Sequence, residues 1–348
     1  MKNRFIQLII IVSTFTSIEL PAQTSTARFL YLSPSAEATA LGGAGVSIAN
    51  NSFAAYYNPA SFAFTKTQGL SASFMKPFSP FKNTSMGTIS AFYPIESAGT
   101  IALTFNSFWN ENQIRTSSND PSPIGEIRDS PALFKPTNYQ IKISYANKIE
   151  ENVAFGFSAS YLHIVLANKP TEQEVGSGIT STMLFDGGLL ITDLFINSTY
   201  SPDSKTNISS SVENIRPGCS IGFSILNLGP KISFIDNAQS DPPPAFALLG
   251  ISYTPIYWEP MSSRISLDIE KRIYDSNELD FVHLGGEFLV YKFISLRLGF
   301  SANLIREDNS FFTYGFGFNY KFISVNVSSY KKYAVPTWQF DAKIFQEF

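Results

Sequence analysis

Cysteine and histidine are scarce in this chain. Its 348 residues include 1 cysteine, Cys219, and 2 histidines, His163 and His283. One cysteine cannot form a disulfide framework, and a lone thiol is most simply a small buried apolar residue. The histidines lie far apart inside strand-like patterns and have no carboxylates at ligand spacing. We therefore expect them to pack in the interior or at an interface, with a two-histidine metal site as the alternative.

Charge is also sparse and nearly balanced. Only 15% of the residues are charged and the net charge is -3, which excludes the basic surface of a nucleic-acid-binding protein. No Gly-x-Ser-x-Gly elbow with a placed histidine is present. Gly42, Gly43 and Gly45 do not form a dinucleotide fingerprint, because no strand-to-helix unit follows them. We expect no enzymatic activity, no cofactor and no nucleic-acid partner.

Long apolar runs are missing beyond the N-terminus. Residues 1–22 carry Lys2 and Arg4, then an apolar core, then small residues up to Ala22, which is the order of a secretory signal peptide. The alternative, a membrane anchor helix, needs about 20 unbroken apolar residues, and serine, threonine and glutamate interrupt this stretch. No later segment approaches the length of a transmembrane helix. The remaining way to span a bilayer is a closed β-barrel, whose strands alternate outward apolar with inward polar residues.

Alternation of this kind runs from Gln68 to the C-terminus. Between Phe312 and Tyr320 every second residue is aromatic, with small or polar residues between them. The last strand places Trp338, Phe340 and Phe348 on one face, and outer-membrane barrels typically end on such a C-terminal barrel-assembly strand. A soluble β-sandwich is the alternative, but its polar face would carry more lysine and glutamate. We predict an all-β protein of the cell outer membrane: a transmembrane β-barrel of about 14 antiparallel strands over residues 67–348, in contact with outer-membrane lipid.

The connections between these strands differ in length. Short joints are predicted to be periplasmic turns: Pro94 to Ala98, Asn147 to Asn152 and Tyr320 to Phe322. Longer polar segments are predicted to be loops on the outer side: Trp109 to Pro136, Ala167 to Ser181 and Asn197 to Asn214.

The stretch before the strands has a different composition. A short helix is predicted there, with Ser33 as N-cap, Pro34 at the first helical position and Gly42 just past the end. Asn58 before Pro59 should end a second short turn. Because glycines and alanines let backbones approach closely, we expect residues 23–66 to form a hatch segment inside the barrel. Its motif residues are Leu41, Gly42, Gly43, Ala44, Gly45, Asn58 and Pro59.

Two sequence motifs resemble a known family. Phe29-Leu30, Ala40 to Ala44 and Asn58 to Ala60 look like the N-terminal signature of the PorV/PorQ family. Leu226 to Phe234 is similar to a mid-chain segment of the PorV branch. The mid-chain motif residues are Asn227, Gly229, Pro230, Lys231 and Ser233. Glu37 departs from the pattern, which has an arginine there.

The resemblance implies a barrel related to the FadL fatty-acid transporters, with the N-terminal segment as a hatch. It further implies a non-enzymatic outer-membrane accessory of type IX protein secretion. Such a protein would bind the type IX translocon and the C-terminal signal domains of secreted cargo. The alternative is a FadL-like channel that carries hydrophobic small molecules across the outer membrane.

Overall fold

The computed structural model describes most of the chain after the predicted signal peptide. The described residues are 27–77, 84–110, 113–114, 133–166, 178–195, 215–234, 240–258, 260–274, 279–305, 309–332 and 336–346. The predicted signal peptide and Phe348 lie outside them. Within the described ranges, no helix combines the length and the apolar character needed to cross a bilayer.

Fourteen antiparallel strands close into a barrel, as the alternation predicted. They are β1 (Gln68–Met75), β2 (Ser85–Ile95), β3 (Gly99–Trp109), β4 (Thr137–Glu150), β5 (Val153–Val165), β6 (Ile179–Leu194), β7 (Gly218–Leu228), β8 (Phe246–Trp258), β9 (Met261–Arg272), β10 (Phe281–Val290), β11 (Ile294–Asn303), β12 (Phe311–Tyr320), β13 (Ile323–Tyr330) and β14 (Thr337–Gln346). Closure occurs between β1 and β14, where Gln68 lies opposite Gln346 and Met75 opposite Gln339. Two short hairpins, Gln113–Ile114 with Leu133–Phe134 and Ile232–Ser233 with Ser240–Asp241, lie outside the barrel sheet.

The outward faces of the strands are apolar. Phe312 is 75% exposed and Leu298 71% exposed, which is the state expected of side chains that contact lipid. Trp338 and Phe340 also point outward. The inward faces carry serine, threonine, asparagine and charged side chains, almost all of them buried. This division follows the period of two that the sequence shows.

The strand order assigns each connection to one end of the barrel. Neighbouring strands are antiparallel, so successive connections alternate between the two ends. The short turns all lie at one end, which is the periplasmic end in outer-membrane barrels. Residues 197–214 lie outside the described residues, but they join β6 to β7, and Leu194 pairs with Cys219 at the end of the short turns. The strands that flank this segment, which was predicted to be an outer loop, therefore meet at the end of the short turns.

An N-terminal segment, residues 27–67, fills the lumen. It contains 3₁₀ turns at Arg28–Tyr31, Ala54–Tyr56 and Pro59–Phe64 and one short α-helix, α1 (Ala36–Ala40). At the outer end of the barrel, Phe29 and Leu30 pack in one cluster with wall residues Met75, Met86, Phe108, Leu162, Ile164 and Leu184. Near the periplasmic end, Phe62 packs with wall residues Phe92, Ala102, Ala146 and Phe345. The segment therefore runs along the lumen from the outer to the periplasmic end.

Helix α1 begins two residues later than predicted. Its N-cap is Ser35, whose Oγ accepts a hydrogen bond from Ala38 N at 3.2 Å. Asp341 on β14 accepts a bond from Ala36 N at 2.8 Å, so a wall carboxylate fixes the first helical residue. Ser33 instead donates to Ser35 O at 3.2 Å. The end of the helix is as predicted, because Gly42 follows it with a φ of +75°.

Candidate functional site: the filled lumen

Glycines in the wall let the N-terminal segment lie against the strands. A Cβ added at Gly285 would lie 2.6 Å from Leu41 Cβ, and one added at Gly299 would overlap the backbone of Leu41 and Gly42. Contacts this close are available only to a residue without a side chain. Leu41 and Gly42 of the N-terminal segment therefore lie directly against glycines of β10 and β11.

Gly42 and Gly43 close the C-terminus of α1. Gly42 N donates to Thr39 O at 3.1 Å and Gly43 N donates to Ala38 O at 2.8 Å, which is the bond pattern of a Schellman motif. Gly43 has a φ of +103°, in the region that favours glycine. A Cβ at this position would also lie 2.9 Å from His283 Nδ1. Both glycines are thus required by the backbone and by the wall.

Asn58 fastens the second half of the segment. Its Oδ1 accepts from Ala60 N at 3.1 Å, which caps the turn that begins with Pro59. Its Nδ2 donates to Val46 O at 3.0 Å and to Leu189 O of β6 at 2.8 Å. One buried amide therefore joins two parts of the N-terminal segment to the wall.

Wall side chains also bind the backbone of the segment. Asp268 Oδ2 on β9 accepts from Gly45 N at 2.7 Å and from Val46 N at 2.9 Å. His283 Nδ1 on β10 lies 2.7 Å from Gly42 O, so we assign the proton of this ring nitrogen to the bond with that carbonyl. These bonds satisfy backbone groups that a short, irregular segment leaves unpaired.

A buried charge network holds the middle of the segment. Arg264, Glu287 and Arg297 lie opposite one another on β9, β10 and β11. Glu287 Oε2 accepts from Arg264 at 2.5 Å, and Glu287 Oε1 accepts from Arg297 Nε at 2.7 Å. Glu37 of α1 joins the same group, since its carboxylate lies 2.6 Å from Lys343 Nζ, 3.4 Å from Arg264 and 3.9 Å from Arg297.

Electrostatics fix the ionisation of Glu37. Burial alone would raise the pKa of this carboxyl, but Lys343, Arg297 and Arg264 outweigh that effect and hold the pKa well below its usual range. With Asp341 nearby, three carboxylates face three cations. The network is balanced, and it is linked to the N-terminal segment by the Glu37 side chain and by the hydrogen bond from Ala36 N to Asp341.

A second buried ion pair lies on β4 and β6. Lys142 Nζ is 2.7 Å from Asp186 Oδ2, and both side chains are at most 1% exposed. Lys142 also donates to Ala55 O at 3.0 Å, and its Nζ lies 4.9 Å from the centre of the Tyr56 ring. Burial raises the pKa of Tyr56, so this phenol stays neutral beside the pair.

A cavity of about 720 Å³ lies at the outer end of the barrel. It is lined by the N-terminal segment, by strands β7 to β13, and by Met75 of β1 and Lys142 of β4. Aromatic rings form much of its wall: Tyr31, Phe246, Phe281, Phe311 and Tyr330. Arg28, Arg272 and Lys332 lie around it with Glu270 and Asp280.

The predicted site residues do not form one site. Leu41 to Gly45, Asn58 and Pro59 are brought together against the wall as described. Asn227, the residue before the last of β7, has a φ of +58° and donates its N–H to Asp186 Oδ1 at 2.6 Å. The mid-chain motif continues into the Ile232–Ser233 strand, and Ile232 packs in the cluster of Phe29 and Leu30. A Cβ at Gly229 would lie 2.6 Å from Leu184 Cδ2. Pro230 and Lys231 lie between Gly229 and Ile232 in the chain. Trp338 and Phe340 lie elsewhere, on the outward face of β14.

The histidines and the cysteine lie apart from one another. His163 contacts Ser181 Oγ at 2.8 Å on the exposed side of the wall, and His283 is buried beside Gly42. Cys219 is a buried free thiol. In the part of the chain that the structure describes, no cluster of three or more histidine, cysteine or carboxylate side chains could hold a metal.

Sequence reasoning missed the charged residues of the lumen. Lys142 stands between Ile141 and Ile143, and Arg297 between Leu296 and Leu298. A charge in the inward phase of a transmembrane strand is costly unless it is paired. A charged residue flanked on both sides by apolar residues in a predicted strand is visible in the sequence, and it marks a side chain that needs a partner inside the barrel.

Comparisons with known proteins agree with this geometry. The fold matches the Pseudomonas putida toluene transporter TodX with a TM-score of 0.55 and 10% identity, over 89% of this chain and 97% of TodX. A TodX deletion mutant, a monoaromatic hydrocarbon channel, gives a TM-score of 0.54 and 10% identity over 90% of this chain and 98% of its own. A Pseudomonas aeruginosa FadL homologue gives a TM-score of 0.44 and 11% identity, over 93% of this chain and 99% of its own. A search of curated proteins gave no match.

The protein is therefore an outer-membrane β-barrel that shares the fold of the toluene transporter TodX. The family profile described as "Type IX secretion system protein PorV" matches residues 17–276. Because that match covers most of the chain, the protein belongs to the PorV family. The resemblance stated from the N-terminal and mid-chain motifs is confirmed.

Proposed function

We propose that this protein is a non-enzymatic accessory of type IX secretion that binds the translocon, the C-terminal signal domain of cargo proteins, or both. The match of residues 17–276 to the PorV family carries the proposal. Residues 1–22 act as the signal peptide, residues 23–66 as a hatch and residues 67–348 as the transmembrane barrel.

The filled lumen supports a binding role rather than free passage. The hatch is held by Asp341 at the start of α1, by Asp268 after it and by Asn58 near the periplasmic end. Glu37 adds a buried charge link to three cations. Movement of the hatch would separate these groups from their partners in an interior of low dielectric constant, which is costly.

Deleting the gene tests this proposal. Proteins that carry type IX signals should then fail to reach the medium and accumulate in the periplasm, and the wild-type gene should restore their export. A matched control is a secreted protein without such a signal, whose export should not change. Unaffected type IX secretion together with lost uptake of a hydrophobic nutrient would contradict the proposal.

The second candidate is a channel for hydrophobic small molecules. It is favoured by the shared fold with the toluene transporter TodX and by the cavity beside the hatch. The same deletion distinguishes the two, because a channel predicts the uptake defect and unchanged secretion.

A further inference from the structure

A groove of about 600 Å³ crosses the lipid-facing side of strands β10 to β14. Its two walls are neighbouring rows of outward side chains, which the strand register aligns. The row nearer the outer end comprises Gly286, Leu298, Tyr314, Ser329 and Trp338. The other row comprises Phe288, Leu296, Phe316 and Val327. The floor lies at the inward-facing positions between the two rows, Arg297, Gly315 and Ser328. The groove therefore runs across the strands and not along them.

Small outward residues lie near both ends of this groove. Gly286 has no side chain, and a Cβ added there would meet no atom within 4 Å. Near the other end, Ser329 lies between Tyr314 and Trp338 in the register, and the centres of these two rings are 6.4 Å apart. The lining of the groove is almost entirely apolar. Its surface therefore suits a hydrocarbon ligand.

The dimensions of the groove suit one extended hydrocarbon chain. Its walls are two residues apart along each strand, which is a spacing of about 7 Å. An α-helix with its side chains is about 10–12 Å wide, so a helix does not fit between them. The sheet is a closed barrel and offers a partner strand no free edge. From β10 to β14 the groove covers four strand spacings, about 19 Å, so it has room for a long chain.

The groove descends from the outer membrane surface toward the middle of the bilayer. Trp338 lies eight residues from Gln346, the periplasmic end of β14, whereas Gly286 lies four residues from Val290, the periplasmic end of β10. Tryptophan is typical of the membrane–water interface. Beside Trp338, Ser329 is 1% exposed, and its hydroxyl has no hydrogen-bond partner among the described residues. An ester carbonyl at this end of the groove would accept a hydrogen bond from that hydroxyl.

We propose that this groove binds one acyl chain of a lipid in the outer leaflet, with the ester group beside Ser329 and the chain end beside Gly286. Acyl chains surround this face of the barrel, so the ligand is always at hand. The groove lies on the outside of the wall, whereas the cavity beside the hatch lies inside it. The proposal does not depend on the proposed role in secretion.

Photocrosslinking of the full-length protein in phosphatidylcholine vesicles tests the proposal. Two probes are added in trace amounts, each a phosphatidylcholine with a diazirine in its acyl chain, near the ester in one and at the chain end in the other. Mass spectrometry should locate adducts of the first probe on β13 and β14 and adducts of the second on β10 and β11. Each should be at least fivefold more abundant than adducts on β5 and β6. Adducts spread evenly around the barrel, or the same distribution for both probes, would overturn the proposal.

The variant Gly286→Leu places a side chain in the groove and should lower the chain-end adducts on β10 and β11 at least fivefold. Gly187→Leu is the matched control, because Gly187 is an outward glycine of β6 and the nearest atoms to a Cβ there are those of Phe157 at 4.0 Å. The heat-dependent gel shift of the folded barrel would verify that both variants fold. Unchanged adducts in Gly286→Leu would overturn the proposal. So would a yield that falls as the ratio of protein to lipid rises, because a second copy of the protein would then cover the groove.

Discussion

Glu37→Gln is expected to destabilise the folded protein by roughly 3–5 kcal/mol, the cost of leaving a buried charge without its partner. The substitution keeps the shape of the side chain but removes the negative charge that faces Lys343, Arg264 and Arg297. The pKa of Glu37 is lower in the folded protein than in the unfolded chain. Its contribution is therefore fully present above the unfolded pKa and is lost as the pH falls through the folded one. Urea unfolding of the protein in lipid vesicles at neutral pH measures the difference.

A charge-balanced double variant separates electrostatics from packing. Glu37→Gln with Lys343→Gln removes one charge of each sign, so the double variant should be more stable than Glu37→Gln alone. Glu96→Gln is the control, because Glu96 is exposed in the β2–β3 turn and should change the stability by less than about 0.5 kcal/mol. If Glu37→Gln proved as stable as Glu96→Gln, the network would not hold the hatch.

Gly43→Val is expected to block folding or to cost about 3 kcal/mol or more. A β-branched residue at a φ of +103° is strained, by about 1–3 kcal/mol for sparsely populated backbone regions. The new Cβ would also lie 2.9 Å from His283 Nδ1, displacing a ring that bonds Gly42 O. The amount of folded barrel, read from its gel mobility before and after heating, is the measurement.

Gly286→Val provides the matched control, because Gly286 lies on β10, the strand that carries His283. A Cβ at Gly286 meets no atom within 4 Å, so this variant should fold as the wild type does. Normal yield and mobility of Gly43→Val would show that the end of α1 does not need a glycine in this conformation.

The barrel could be predicted from the sequence because its signal is local. A side-chain period of two places Phe312 and Trp338 on the outer face whatever their neighbours are. The predicted N-cap was two residues too early because Asp341, which binds the first helical N–H, is 305 positions away. The charge network was missed for the same reason, because Glu37 and Lys343 are 306 positions apart in the sequence. Pairings of this kind follow from the closure of the barrel and cannot be read from local pattern.

Labelling of Ala44→Cys in intact cells with a bulky, membrane-impermeant maleimide tests most directly whether the barrel is filled by its own N-terminal segment. Ala44 is fully buried, and the native thiol of Cys219 is buried as well, so the wild type is the blank. Lys331→Cys, at an exposed position beyond β13 at the outer end, is the positive control. We expect rapid labelling of Lys331→Cys and labelling of Ala44→Cys no greater than that of the wild type. Labelling of Ala44→Cys as fast as that of Lys331→Cys would contradict the structure of the hatch.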